Sequence, residues 1–336
     1  MTRMTTSVGI EHSHSGGQVH YRQHMLSPLS HDELLVKVLA AGLNRADLMQ
    51  CHGKYQPPAH ETSVPGIEIS GYVLEAGEGA TSHRAGDKVY GVVPGGGFSL
   101  VCKMDSAMAM PIPSGWSFEE AAAFPEAVLT ANEALVTLGA LQSGKAVVVH
   151  AASSGMGTMV VSMAKCLGGV VIATTSHASK ADRLRELGAD EIIQEQGIGF
   201  YHHVLASTKG VGADLVVDFL GGRYVNSNVH ALRAGGKLIA AGILDGRTTE
   251  LDLYSLINRS VNIMPLTLRM KTKNEKRAVV ERFFMRWGGS PLFEPLRPLI
   301  HAVFPFSDIS SALALMESAE HTGKIVISLG DTHCSG

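Results

Sequence analysis

The run Lys145-Ala-Val-Val-Val-His-Ala151 leads into Ala152-Ser-Ser-Gly-Met-Gly157 and then into an amphipathic stretch over 158–167. A β-branched run, a turn of small residues and a helical pattern predict strand, tight turn and helix. Glycine in such a turn lets the backbone bend sharply and approach a pyrophosphate, whose charge then rests on the amides of the helix N-terminus. Gly155 and Gly157 are the expected close-approach positions, with Ser154 and Met156 beside them. Alone, the turn is weak, because any tight β-to-α connection has the same composition.

Its surroundings strengthen it. Strand-like runs at 146–151, 170–175, 191–193, 215–219, 237–241 and 261–265 alternate with helical or turn-rich stretches. That alternation predicts a parallel sheet covered by helices, and six such strands make a full Rossmann count. Roughly 20 residues past the glycine loop, an NAD-preferring member of that fold places an acid on the ribose 2′-hydroxyl. This chain reads Ala173-Thr-Thr-Ser-His-Ala-Ser-Lys180 there, without an acid. The hydroxyls of Thr175 and Ser176 and the cation of Lys180 suit a 2′-phosphate, so NADP(H) is the expected cofactor. The alternative is that Lys180 is a solvated first-turn residue. Gly221, Gly242 and Ile243 follow predicted strands, at the carboxyl ends where ligands of this fold sit.

The first part of the chain differs. Short β-rich runs at 33–41, 71–76, 87–93 and 97–103, broken by Gly and Pro, predict a compact barrel-like domain. The pattern changes after Pro125. A charged helix is expected over 269–286 and a last strand over 323–329, so the two ends of the chain complete one domain together. The 336 residues are enough for two domains. The expected division is 1–127 with 266–336 for the β-rich domain and 128–265 for the dinucleotide-binding domain.

A composition of 45% hydrophobic and 18% charged residues with a net charge of −3 fits an α/β globule. It lacks the basic excess that would draw nucleic acid or an anionic membrane. No apolar run approaches the roughly 20 residues that cross a bilayer. The first 20 residues lack a basic region followed by an apolar run, so a cytoplasmic location is expected. Cys51, Cys102, Cys166 and Cys334 form no C-x-x-C pair, and the 16 histidines show no metal-ligand spacing and are expected mostly at the surface.

Four further segments carry a resemblance: Ala40-Ala-Gly-Leu-Asn-Arg-Ala-Asp-Leu-Met-Gln50, Gly66-Ile-Glu-Ile-Ser-Gly71, Gly86-Asp-Lys-Val-Tyr-Gly91 and Ala121-Ala-Ala-Phe-Pro-Glu-Ala-Val-Leu-Thr130. In order and spacing they resemble the zinc-free quinone oxidoreductase branch of the medium-chain dehydrogenase/reductase superfamily, over nearly the whole chain. The resemblance implies an α/β architecture, a GroES-like β-barrel catalytic domain around a Rossmann domain, paired as a homodimer through the edge strand of the Rossmann sheet. It sets Asn44, Ile67-Glu68 and Glu126 at the positions where zinc members hold their metal, so no metal is expected.

The resemblance also implies site residues. Asn44 and Tyr55 lie near the nicotinamide, where either can donate to a substrate oxygen; alternatively Tyr55 packs on the neighbouring prolines. Asp47 orients the loop or caps a helix. Thr130 and the segment Leu266, Thr267, Leu268 meet the nicotinamide end, and Lys324 approaches the cofactor edge or is a strand-end surface lysine. Glu195 stands where relatives place a tyrosine beside the 2′-phosphate, and an acid there would weaken NADPH by like-charge repulsion.

The expected reaction is metal-free hydride transfer from NADPH to a small quinone. Reduction of an enone or enoyl substrate is the alternative in the same chemistry. NADPH binding without catalysis is the alternative outside it, and a zinc alcohol dehydrogenase would require about one metal ion per chain.

Overall fold

The computed structural model describes residues 3–13, 16–58, 61–194, 197–288 and 291–330. Two compact units emerge, one of residues 1–126, 269–285 and 300–336, the other of residues 127–268 and 286–299. The segment 286–299, expected in the β-rich domain, groups with the second unit. Its residues 291–296 pack on helix Gly155–Cys166, and buried Trp287 donates its indole N–H to Asn132 Oδ1 at 2.9 Å.

The strands of the first unit begin with β1 (Met4–Ser13) and β2 (Gly16–Met25), then β3 (Glu33–Leu43), β4 (Glu68–Ala76), β5 (Lys88–Val92), β6 (Val101–Asp105) and β7 (Met110–Pro111). The second unit holds β8 (Ala146–Val149), β9 (Val170–Thr174), β10 (Glu191–Ile193), β11 (Ala213–Asp218), β12 (Leu232–Ala240) and β13 (Asn262–Pro265). The chain then returns to the first unit with β14 (Ile300–Pro305) and β15 (Lys324–Ser328).

In the second unit the strands run parallel in the order β10-β9-β8-β11-β12-β13. Numbered within the unit this is 3-2-1-4-5-6, the Rossmann order, with its switch point beside β8. Val147, Val148 and Val149 are fully buried, as the central strand of a sheet covered on both faces requires. Val148, Ile172, Val216 and Leu238 form one core with Phe200 and Val204 of the helix Phe200–Ser207.

The first unit is built on β3, which pairs with β4 on one side and with β6 and β15 on the other. Two registers matter for the site. Ile325 of β15 faces Leu43 of β3, and Ile69 of β4 faces Ala41. Lys324, Asn44 and Glu68 are thereby delivered to one end of the sheet. β6 begins at Val101 rather than at the expected 97, because Gly95 and Gly96 adopt φ of 123° and 84° and Gly97 N bonds Gly66 O in a loop. The hairpin β1–β2, strand β14 and helix Ile309–Ser318 had no sequence counterpart in our reading. Cys51, Cys102 and Cys166 are free thiols. Among the described residues no helix is long and apolar enough to cross a membrane.

Candidate functional site

In the Rossmann unit, the chain leaves β8 through His150 and Ala151 and enters helix Gly155–Cys166 with Ser154 as its N-cap. Ser154 Oγ accepts from Gly157 N at 3.0 Å, which satisfies one of the otherwise unpaired first-turn amides. Ala151 adopts φ 46°, a left-handed conformation in which a Cβ is unfavourable and glycine is usual. A Cβ on Gly157 would collide with the Ala151 carbonyl oxygen and stand 2.6 Å from Ala152 Cα. Gly157 is therefore required for the loop's own backbone to lie against the helix, the packing role of the last glycine in such fingerprints. The helix amides beside Gly155 and Met156 remain suited to a pyrophosphate.

Two more loops leave the carboxyl ends of the sheet. Gly221 and Gly222 adopt φ of 65° and 51° after β11, and a Cβ on Gly242, after β12, would lie 2.8 Å from the Phe219 carbonyl carbon. These glycines pack one loop against the other. Beside Gly242, Ile243 is 58% exposed. At the end of β9, Thr175 is buried and its Oγ1 accepts from His177 N at 3.3 Å, while Ser176 is exposed. Lys180 is only 8% exposed, so it is not the solvated residue of the alternative reading. Thr130 is buried in helix Pro125–Asn132, and Leu266 and Leu268 are buried around exposed Thr267. Glu195 lies outside the described residues.

The first unit carries a buried polar cluster at the sheet end defined by β3, β4 and β15. Lys324 Nζ donates to Glu68 Oε1 at 2.6 Å and to Asn44 Oδ1 at 2.8 Å, with the lysine 3% and the glutamate 0% exposed. Asn44 Nδ2 donates to the same Glu68 oxygen at 2.8 Å, and Glu126 N donates to Glu68 Oε2 at 2.9 Å. Gly42 makes room for this carboxylate, since a Cβ there would fall on Glu68 Oε1 and 2.6 Å from Ala122 O. Lys324 is thus neither a surface lysine nor turned outward. Asn44 has both its side-chain atoms committed inside the cluster.

The resemblance sets these residues at the positions where zinc members hold metal, and their chemistry does not fit one. Asn44 and Glu68 bond an ammonium, and Ile67 is an apolar buried side chain. Among the described residues no group of three or more His, Cys, Asp or Glu is arranged to hold a metal ion.

Asp47 is fully buried. Its Oδ2 accepts from Asn44 N at 2.9 Å and its Oδ1 from Gly66 N at 2.8 Å, so it both caps helix Arg45–Cys51 and ties down the Gly66 loop. Burial pushes its carboxyl up to about 6, against these two hydrogen bonds. Burial and the neighbouring Glu68 carboxylate push Glu126 up to about 7. Both folded values exceed the unfolded ones, so the folded state holds these protons more tightly and loses stability as pH rises from about 4 to about 7. Glu126→Gln is therefore expected to raise unfolding free energy by about 1–2 kcal/mol at pH 8, discounted for the partial exposure of Glu126, and to change little at pH 4. Urea unfolding at both pH values measures this, and an equal effect at the two would contradict it.

Tyr55 is partly buried, with Oη 3.9 Å from Met270 Sδ. Burial raises its phenol above the ordinary value, opposed by the nearby Arg269 guanidinium, so it stays protonated at neutral pH. Arg269 itself is 8% exposed and, with Lys276, forms a buried ion triad on Glu61, at 3.0 and 3.1 Å. The sequence assigns no role to Glu61 or His150, and gives Arg269 only a place at the end of the segment 266–269; their side-chain partners lie too far along the chain to be inferred.

Comparison with known proteins agrees with this geometry. The family described as Alcohol dehydrogenase GroES-like domain matches residues 30–140, and the family described as Zinc-binding dehydrogenase matches residues 155–284. One component of the phenolphthiocerol/phthiocerol polyketide synthase of Mycobacterium tuberculosis is 31% identical over 300 residues, 89% of this chain. The match spans only 14% of that protein's length. Among solved structures, the CurK enoyl reductase superposes with a TM-score of 0.83 at 25% identity, covering 96% of this chain and 99% of that one. A mycobacterial protein solved in complex with NADPH shares the fold with a TM-score of 0.84 at 24% identity, over 97% of this chain and 100% of its own. With both domain families matched in order and the two units folded as described, the chain belongs to the medium-chain dehydrogenase/reductase superfamily.

Proposed function

We propose that this chain is an NADPH-dependent reductase of an activated carbon–carbon double bond, that of an enoyl thioester or enone. The observation that carries the proposal is the Lys324 ammonium bonded to Asn44 and Glu68. Residues at the positions that the resemblance matches to zinc ligands here hold a resident side-chain cation. Such a site suits acceptors that are already electron-poor and need no Lewis acid to polarise an alkoxide. Our sequence reading put a quinone first; the likeness to the CurK enoyl reductase and to a polyketide synthase supports the enoyl acceptor instead.

NADPH, when bound, supplies the hydride. The residues of this chain bind and orient it. The amides at Gly155 and Met156 take the pyrophosphate, Thr175, Ser176 and Lys180 take the 2′-phosphate, and Thr130 with 266–268 border the nicotinamide. Tyr55, protonated at neutral pH, hydrogen-bonds the acceptor carbonyl and gives the proton that completes reduction at the α-carbon. Asp47 holds the backbone at Asn44, and Asn44 holds the Glu68 carboxylate.

The test is the initial rate of NADPH oxidation with a crotonyl thioester, an aliphatic enone and a small ortho-quinone, on chelator-treated protein. We expect the unsaturated thioester or enone to exceed the quinone in kcat/KM. Tyr55→Phe is expected to lower kcat by about 100-fold with NADPH affinity retained. Binding of NADPH without turnover of any acceptor would move the chain to the non-catalytic reading.

A homodimer is part of the proposal. β13 ends the Rossmann sheet, and helix Leu253–Asn258 beside it in sequence buries none of its residues. Leu253, Tyr254 and Ile257 are 60, 77 and 70% exposed, which is unusual for large apolar side chains on a lone protomer. Tyr254→Asp is expected to halve the mass measured by light scattering; an unchanged mass would remove this helix from the interface.

A further inference from the structure

His150 is 1% exposed and sits at the carboxyl end of β8, between the ends of β9 and β11. Its Nδ1 is 2.9 Å from Thr174 Oγ1, and its Nε2 is 2.7 Å from Asn228 Oδ1. Asn228 Nδ2 donates to Asp218 Oδ2 at 3.0 Å, and Asp218 Oδ1 accepts from Leu220 N at 2.7 Å and Gly221 N at 3.1 Å. Thr174 is 6% exposed, and Asn228 and Asp218 are 0% exposed.

The chemistry of the groups assigns every proton in this chain. The Asn228 amide nitrogen donates to Asp218, so its oxygen, which only accepts, faces His150. His150 Nε2 must then carry the proton, which leaves Nδ1 to accept from the Thr174 hydroxyl. Burial lowers the imidazole's affinity for a second proton, so the neutral ring is the stable form. The ring is also held edge-on by Phe200 and Tyr224, at centroid distances of 4.6 and 5.7 Å.

We infer that His150 is a positioning residue for the dinucleotide, the centre of a buried latch across the three strand ends that flank the switch point. On one side the latch holds Thr174, next to Thr175 and the 2′-phosphate position. On the other it holds Asp218, which shapes the Gly221 loop. Through its own backbone it fixes the start of the phosphate turn, since His150 N donates to Val217 O at 3.0 Å and Ala151 follows directly. One imidazole thereby sets the spacing of three loops that must grip one cofactor, which binds there on the reading proposed above.

Calorimetric titration of NADPH into wild type, His150→Phe, His150→Gln and Thr174→Val tests the latch. Phe keeps the aromatic packing and loses both hydrogen bonds, and it is expected to raise Kd by about tenfold or more. Gln places an amide N–H near the position of Nε2 and is expected to stay within about threefold of wild type. Thr174→Val removes only the donor to Nδ1, keeps the side-chain shape, and carries the test if His150→Phe does not fold. Its expected loss is about threefold to tenfold. Wild-type affinity in the folded Phe and Val variants, or a Gln variant no better than Phe, would overturn the latch. Failure of the wild type itself to bind NADPH would overturn the cofactor reading, and this inference with it.

Discussion

Replacing Lys324 by methionine is expected to cost about 3–5 kcal/mol of unfolding free energy, because it leaves the Glu68 carboxylate buried without its cation. Methionine keeps the length and the apolar stem, so the loss reports the charge and not a cavity. Glu68 Oε1 would keep the Asn44 amide, and Asn44 Oδ1 would lose the Lys324 ammonium. The cost belongs to the unpaired ion, so removing its charge as well should recover much of it. The double variant Lys324→Met, Glu68→Gln is expected to be clearly more stable than Lys324→Met alone. Urea unfolding of wild type, both single variants and the double variant gives the coupling energy. A Lys324→Met protein within about 1 kcal/mol of wild type would mean that the cluster is hydrated, and that Lys324 does not stand in for a metal.

Gly157→Ala is expected to weaken NADPH binding by at least about 100-fold and to destabilise the cofactor-free protein by about 1–3 kcal/mol. The added methyl meets only backbone: the Ala151 carbonyl oxygen, Ala152 Cα at 2.6 Å and Ala152 C at 2.7 Å. No rotamer change can relieve it. The turn from His150 to Ser154 must shift away from the helix start, and the amides proposed to meet the pyrophosphate shift with it. The two effects separate two roles for this glycine. A residue needed only for ligand approach would lose affinity and keep stability, whereas one needed for loop packing loses both. Affinity within about threefold of wild type would refute the pyrophosphate assignment to this turn.

Much of the Rossmann unit was legible in the sequence because its signals are local. A strand buried on both faces must be a short run of β-branched residues, and Val147 to Val149 are that run. The glycine positions follow from turn geometry that each residue carries with it. The absence of an acid after β9 was equally readable, since a 2′-hydroxyl or a 2′-phosphate is met by side chains of one short segment. The excursion 286–299 was misplaced for the converse reason. Its membership is decided by Trp287 reaching Asn132, 155 residues away.

The candidate site divides along the same line. Composition, the strand–turn–helix unit and the sequence motifs determined the fold class, because each is a property of residue types at fixed spacing. Only the tertiary structure decided what became of Lys324, Asn44 and Glu68, which meet across sequence separations of 280 and 256 residues through the register of β15 on β3. It alone placed Lys180 in the interior and joined His150 to Asp218 through Asn228. Buried polar groups must find partners wherever the fold supplies them, and the fold supplies them from strands that are distant in the chain.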